Sequence, residues 1–446
     1  MGRDRPLQLI APSEQVTIHP AQYAIIDYMK AKLRQILEKL PFYNSLVLPY
    51  HWAQAVIATT KYHHPAKNLK IIAVTGTNGK TTTSFMIWHM LSHAGYKTGL
   101  MTTVAWGTTK LTPELGHMTT VDADTLNRRI QDIKNQGATH LVLEVTSHAL
   151  AEFRTLGIPL DIAVFTNLTH DHLDYHKTFA NYRAAKGKLF KQAKFNILNA
   201  DDSATKYYQN LTKNFTTYGI KHGDHRATDV HLSATGVSYT ADDLHIQTQI
   251  PGQFNVYNSL AAVIVGQQLG LTNAQIEQGI KDLKNVEGRM NIVDEGQPFT
   301  VIVDYAHAPD ALEKVFESVT PHQGKISSVH GGAGRRDPST REIRGRILAK
   351  YSDIVIITED DSRDEDPERI AQPFIKGAET QGKILNKDLF KELDRKKAIE
   401  LALKKAKKGD LVLILGKGHE KTILRADGPH DFEDIKVAKK LLSKQK

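Results

Sequence analysis

Six consecutive residues, Gly76-Thr77-Asn78-Gly79-Lys80-Thr81, carry the parts needed to hold a nucleoside triphosphate. Glycines let backbone amides approach phosphate oxygens, Lys80 brings a positive charge to the β and γ groups, and the Thr81 hydroxyl at a helix start suits a magnesium ion. The run follows Ile71-Ile72-Ala73-Val74, which reads as a buried strand, and precedes a helix expected to reach about His93. Strand, loop and helix in that order are the setting of a phosphate loop. Val74 stands where the pattern G-x-x-x-x-G-K-[ST] has its first glycine, so a chance glycine turn before a helix is the competing reading.

Glu144 lies at the end of a strand expected over Leu141 to Val145, and Thr169-His170-Asp171-His172-Leu173-Asp174-Tyr175-His176 follows another over Ile162 to Phe165. Both therefore point to the carboxyl edge of a parallel sheet, where such sheets bind ligands. One histidine is more often structural; three with two aspartates on one loop point to a functional role for part of the cluster. Lys186, on a helix expected over Ala180 to Phe190, reads by itself as a solvated lysine. Further on, Val303-Asp304-Tyr305-Ala306-His307-Ala308-Pro309, the run from His330 to Asp337, and Leu415-Gly416-Lys417-Gly418-His419-Glu420 each place polar residues directly after an apolar strand. Loop turns would explain their glycines but not the charged company, and the three loops should converge on one mouth.

The elements that must position these residues follow from hydrophobic patterning. At 446 residues, with 40% hydrophobic and 24% charged, the chain is long enough for about three domains, and disordered or fibrous classes are excluded. An N-terminal region over 1–68 reads as helical, with apolar spacing over Ala21 to Leu40, breaks at Pro41 and Pro49, and a shorter amphipathic piece over Tyr50 to Tyr62. A central domain over 69–286 alternates strands and helices, including a strand over Phe195 to Leu198, and so should hold a parallel sheet. Between Thr228 and Ile250 the period becomes two, which predicts an antiparallel hairpin; helices over Tyr257 to Leu269 and Thr272 to Leu283 follow. The domain over 287–446 repeats the alternation, with strands over Thr300 to Asp304, Lys325 to His330, Asp353 to Thr358 and Asp410 to Leu415. The expected class is α/β: a central P-loop parallel-sheet ATPase domain, a C-terminal Rossmann-like α/β domain and a short helical N-terminal region.

With no cysteine, a catalytic metal must sit on oxygen or imidazole. The net charge of +9 is concentrated from Lys391 onward, in Lys391, Arg395, Lys396, Lys397, Lys404, Lys405, Lys407 and Lys408, interleaved with Leu401 and Leu403. That run reads as the solvated face of an amphipathic helix, and without an RNA-binding aromatic signature or finger spacing no nucleic-acid partner is expected. No stretch reaches the ~18 apolar residues of a membrane span and no leader is visible, so a cytoplasmic monomer is the expectation.

Taken together, these motifs resemble the Mur ligase family, and within it the UDP-N-acetylmuramoyl-tripeptide synthetase branch. The resemblance runs from about Lys70 to the C-terminus: the loop Gly76 to Thr81, Glu144-Val145-Thr146-Ser147-His148, Thr166-Asn167-Leu168 with the Asp171 to His176 cluster, Asp304-Tyr305-Ala306-His307 and Gly416 to Glu420 occur in family order. It implies ATP-dependent amide ligation through an acyl phosphate in peptidoglycan precursor synthesis. Gly76, Thr77, Asn78, Gly79, Lys80, Thr81 and Thr82 would hold phosphates and the first magnesium, while Glu144 and His172 would serve a second. Lys186 matches a lysine that the family carbamylates into a magnesium-binding or magnesium-orienting anion. Asn255 and Asn258 match an adenine-side motif, and Arg289, Asp304 and His307 match positions that complete the nucleotide site. Thr119, Thr120, Thr146 and Arg154 align with contacts to a muramyl-peptide donor. Arg341, Asp360, Asp361, Arg363, Gly416 and Glu420 align with contacts to the amino-acid acceptor, meso-diaminopimelate or L-lysine.

Three departures from the family pattern stand out. The N-terminal region is shorter than the usual uridine-binding domain, Glu152 replaces a glutamine near the donor, and Asp360-Asp361-Ser362-Arg363 replaces Asp-Asn-Pro-Arg. A folate or polyglutamate donor, and a catalytically silent nucleotide-binding scaffold, are the competing functions. The presence of Lys80, Glu144, His172 and Lys186 argues against silence.

Overall fold

Lys70–Thr75 forms a strand buried on both faces, as its unbroken Ile71-Ile72-Ala73-Val74 run dictates, with His140–Glu144 and Ile162–Phe165 parallel on either side. The chain is seen here as a computed structural model that describes residues 43–444 apart from 115–117, 234 and 321. The helix expected over Ala21 to Leu40, and the rest of Met1 to Phe42, lie outside the described residues. The central strand pairing extends through Phe195–Asn199, Phe215–Gly219 and His225–Arg226 on one side. On the other side Thr98–Met101 is parallel to His140–Glu144, and the short strands Ala105–Gly107 and Leu111–Pro113 add antiparallel edges. The helices Lys80–His93 and Phe254–Gln268 pack together over one face, and Phe179–Gln192 covers part of the other, where Tyr182, Leu189 and Phe190 are buried.

The period-two segment is a three-stranded antiparallel sheet, Thr228–Ser233, Gly236–Ala241 and Leu244–Thr248, one strand more than the hairpin expected. Val237, Tyr239, Leu244 and Ile246 turn inward against the Phe254–Gln268 helix and its neighbour Asn273–Lys281. A second sheet follows in the order Asn291–Ile292, Thr300–Asp304, Leu411–Leu415, Ile326–Gly332, Ile354–Glu359, Leu389–Lys391, parallel except for its first strand. The strands Thr300–Asp304, Leu411–Leu415 and Ile326–Gly332 end side by side, so their following loops open at one edge.

Two further sequence expectations are corrected. Pro49 does not break the N-terminal helix: it lies inside a continuous helix, Tyr43–Lys61, near its start, where the helix tolerates the loss of one intrahelical bond. That helix packs on Ala123–Asn135 through the small side chains of Ala55 and Ala58, while Tyr50, Trp52, Val56 and Ile57 are exposed among the described residues. Arg395 is no part of a solvated face; it is buried and makes two hydrogen bonds to Asp434, at 2.8 and 2.7 Å. Among the described residues no helix is long and apolar enough to cross a membrane.

Candidate functional site

The phosphate loop is shaped by its neighbours as much as by its own glycines. Gly79 adopts a left-handed conformation (φ 84°), and a Cβ there would collide with the side-chain oxygen of Asn258. Asn258 in turn accepts from the Thr83 hydroxyl at 3.2 Å and donates to Asn255 at 2.8 Å, and Asn255 donates to the Pro251 carbonyl. The two buried asparagines thus brace the loop from the Phe254–Gln268 helix. From the other side, Asn167 accepts from the Asn78 amide at 2.9 Å, and the Thr166 hydroxyl donates to the Asn78 carbonyl at 2.6 Å. Lys80, at the helix start, donates to the Thr77 carbonyl at 2.8 Å, and burial holds its pKa below the ordinary lysine value. Thr77 also shares a hydrogen bond with Tyr182, and Thr82 is buried in the first helical turn.

Thr81 donates to Glu144 at 3.0 Å, and Glu144, fully buried at its strand end, also accepts from the backbone amide and hydroxyl of Thr103. All three donors are neutral. A buried carboxylate so arranged, beside a hydroxyl and a phosphate loop, fits a hard cation with oxygen ligands.

His172 has a left-handed backbone (φ 55°) and packs edge-on against His148 and Tyr182. Burial, with the charges of Lys186 and Lys80 behind it, pushes its pKa down to about 2 and keeps the imidazole neutral, the form that ligates a metal. Lys186 is fully buried, contrary to a solvated lysine; its Nζ donates to the Gly76 carbonyl at 2.8 Å and lies 4.8 Å from the Tyr182 ring centre. Burial first, and repulsion from Lys80 second, hold its pKa well below the ordinary value.

The C-terminal sheet brings its strand-end loops to face this edge. Arg289 lies over the Tyr305 ring and reaches the Thr81 hydroxyl at 3.3 Å. Asp304 is buried and accepts from the amides of Met290 and Ala306, while His307 is exposed and bonds the Tyr305 carbonyl. Deeper in the same half, the ammonium of Lys417 is ringed by Asp361 at 2.9 Å, Glu420 at 2.8 Å and Asp360 at 3.2 Å. Burial alone would lower the pKa of Lys417, but the three carboxylates raise it well above the ordinary value. These three acids are the one group among the described residues with metal-ligand proximity, and a lysine already occupies it. Asp361 also accepts from the Leu424 amide at 3.0 Å with the same oxygen. Arg363, with φ 55°, donates to the Gly334 carbonyl at 2.9 Å, and Gly416 leaves room for Asp360.

On the opposite flank, Thr119 bonds Thr103, and Thr120 donates to the Glu144 carbonyl while accepting from the amide and hydroxyl of Thr146. Arg154 pairs with Glu152 through two nitrogens and also donates to the Thr120 carbonyl. Glu152 accepts from the Tyr175 hydroxyl as well.

A single cavity of about 2940 Å³ joins these groups: the phosphate loop from Thr77 onward, Thr119, Thr120, Glu144, Thr146, Arg154, His172, Asn255, Asn258, Arg289, Asp304, His307, Asp360, Asp361, Arg363, Gly416 and Glu420 line it. Gly76 and Lys186 stand behind its wall. Arg341 is not brought to it; that side chain is buried in an ion pair with Glu365, at 2.6 and 2.8 Å. Residues 74–266 match the Mur ligase middle domain, and residues 288–418 match the Mur ligase glutamate ligase domain.

The chain belongs to the Mur ligase family.

It is 40% identical over 405 residues to a UDP-N-acetylmuramoyl-L-alanyl-D-glutamate–2,6-diaminopimelate ligase of Bacillus cereus, covering 87% of this chain and 81% of that one. A ligase of the same name from Aquifex aeolicus is 39% identical over 386 residues, covering 85% and 78%. A solved structure of such a diaminopimelate ligase superposes with a TM-score of 0.62 at 30% identity, over 88% of this chain and 83% of that one. The MurF ligase of Thermotoga maritima in complex with ADP superposes with a TM-score of 0.66 at 22% identity, over 89% and 85%, and shares the fold. Family members are ATP-dependent amide-bond-forming ligases that use magnesium, and this Mur ligase is one of them. Several residues of its site carried no signal of their own in the sequence: Thr103 beside Glu144, Lys417 inside the Gly416 to Glu420 motif, and Asp310, three residues beyond His307. Position inside or beside a motif pointed to Lys417 and Asp310, whereas Thr103 meets Glu144 across 41 positions and had no such pointer.

Proposed function

We propose that this Mur ligase adds meso-diaminopimelate to a UDP-N-acetylmuramoyl-dipeptide donor through an acyl phosphate. The observation that carries the reading is the single cavity lined together by the phosphate loop, by the charged cluster around Arg363 and by Thr119, Thr120 and Thr146. The donor carboxylate would lie by Thr119, Thr120, Thr146 and Arg154, within reach of Glu144. Magnesium would be held by Thr81 and Glu144, with His172 and a carbamate on Lys186 serving a second ion. Bound there, magnesium would neutralise phosphate charge during transfer. An uncharged amine is the form that adds carbon dioxide, burial and Lys80 lower the Lys186 pKa toward that form, and Lys80 with a bound magnesium would favour the resulting anion. Asn255 and Asn258 would set the adenine side of the loop, and Arg289, Asp304 and His307 would close over the nucleotide. The guanidinium of Arg363 would grip the distal carboxylate of the acceptor.

The test is a mass-spectrometric screen of donors and amino acids with ATP. A tripeptide product formed with diaminopimelate supports the reading. Amide formed only with a folate or polyglutamate donor, or none with any pair, defeats it.

A further inference from the structure

One carboxylate oxygen ties three separate parts of this molecule together. Asp310 is the second residue of the Pro309–Val319 helix in the C-terminal domain. Its Oδ2 accepts from the Asn78 side-chain amide at 2.8 Å, from the Thr169 hydroxyl at 3.1 Å and from Lys314, one turn along its own helix, at 2.9 Å. Asn78 belongs to the phosphate loop, and its backbone is already fixed on both sides by Thr166 and Asn167. Thr169 immediately precedes the His170 to His172 loop, and its amide donates to the Thr77 hydroxyl at 3.0 Å. The nucleotide loop and the histidine loop are therefore locked to each other, and Asp310 joins both to the C-terminal domain.

The sign of the charge separates this contact from the other crossing at the loop. Arg289 reaches Thr81 with a cation, which suits phosphate binding. Asp310 brings an anion to a loop built for phosphates, where it would repel the nucleotide, so its place there is explained by docking. A carboxylate in a first helical turn is stabilising without any partner. That role would be met with no donor from the central domain, whereas here two converge on it.

We propose that Asp310 is a positioning residue that latches the C-terminal domain to the phosphate and histidine loops, so that the acceptor site is seated before the acyl phosphate forms. The proposal rests on the ligase reading above. When the latch is lost, water reaches the intermediate: it adds to the acyl carbon, the bond from that carbon to the phosphate oxygen breaks, and the donor carboxylate, inorganic phosphate and a proton are released. ATP is then spent without an amide.

The experiment compares wild type with Asp310→Ala, Asp310→Asn and Thr169→Val. Asparagine keeps an oxygen that can accept from Asn78 and Thr169, although it loses the ion pair to Lys314. For Asp310→Ala the ratio of phosphate released to amide formed should rise from about one to above two, and KM for the amino acid should rise about tenfold. Affinity for a non-hydrolysable ATP analogue should stay within about threefold, because no phosphate ligand is removed. Asp310→Asn should restore the ratio, and Thr169→Val should shift it less, in the same direction. A ratio unchanged in Asp310→Ala, or Asp310→Asn as uncoupled as alanine, overturns the latch. Small-angle scattering with the ATP analogue gives an arm independent of the ligase reading: wild type should be more compact than Asp310→Ala, and identical radii of gyration overturn the proposal even if wild type forms no amide.

Discussion

The Nζ of Lys186 donates to the carbonyl oxygen of Gly76 at 2.8 Å, which sets a fully buried amine against the first residue of the phosphate loop. Its low pKa has two causes, loss of hydration and the neighbouring charge of Lys80. Replacing Lys186 with alanine should cost roughly 10²–10³-fold in ligation, the scale of removing one catalytic electrostatic group, while circular dichroism shows a native fold. A short added carboxylate should restore part of the rate. Enzyme equilibrated with ¹³C-bicarbonate should show a carbamate signal that Lys186→Ala lacks. Normal turnover by Lys186→Ala would defeat the carbamate assignment.

Lys80 follows the same loop and donates to the Thr77 carbonyl at 2.8 Å. Lys80→Ala removes the main positive charge on the transferred group and should lower kcat by at least about 10²-fold. Isothermal titration with an ATP analogue is the check. An unchanged affinity together with unchanged turnover would remove the phosphate-loop reading.

The pairing of Arg395 with Asp434 shows where sequence reading stops. Strands such as Thr300–Asp304 and the loop after Val74 were legible because an apolar run ending in polar residues is a local signal. Helical spacing likewise placed the middle of the lysine-rich run on a helix, Arg395–Lys405, although Lys391 ends the strand Leu389–Lys391 and Lys407 and Lys408 lie beyond the helix. It could not show that the first residue of that helix turns inward to a carboxylate 39 positions later. The same limit applies to Lys417, whose partners Asp360 and Asp361 lie 57 and 56 positions away, and to Arg341, whose ion pair with Glu365 withdraws it from the cavity. Charge partners across a fold leave no periodicity to read.

The packed histidines His148 and His172 should make the protein sensitive to acid. His148 is pushed down to about 3 by burial and then by His172 and His176, and His172 to about 2 by burial and then by Lys186 and Lys80, whereas both would titrate near 6.5 in an unfolded chain. Between about pH 3 and pH 6.5 the unfolded state therefore binds more protons than the folded one, so stability rises with pH across that window and falls on acidification. Urea midpoints should drop between pH 7 and pH 5, and His148→Phe should flatten the drop. A midpoint that is constant or rises toward pH 5 would contradict the assignment of neutral buried imidazoles.

The residue that chooses the acceptor should be Arg363, with Asp361 silent. A carboxylate in place of the usual amide would be expected to attract an ammonium of the amino acid. Here its Oδ1 is held by Lys417 at 2.9 Å and by the Leu424 amide at 3.0 Å, which ties it to the Thr422–Arg425 strand. An asparagine oxygen could accept both bonds. Asp361→Asn should therefore change kcat/KM for either amino acid by less than about threefold. Arg363 is placed differently: one nitrogen is fixed by the Gly334 carbonyl, and the side chain still lines the cavity. Diaminopimelate offers it a carboxylate, whereas lysine would set an ammonium against a guanidinium. Wild type should prefer diaminopimelate, and Arg363→Ala should reduce kcat/KM for it by about 10²-fold, roughly 2.7 kcal/mol, with little change for lysine. Specificity constants for both amino acids with the three proteins decide the matter: a wild-type preference for lysine that survives Arg363→Ala would overturn the acceptor assignment, and a large loss in Asp361→Asn would return the aspartate to the acceptor.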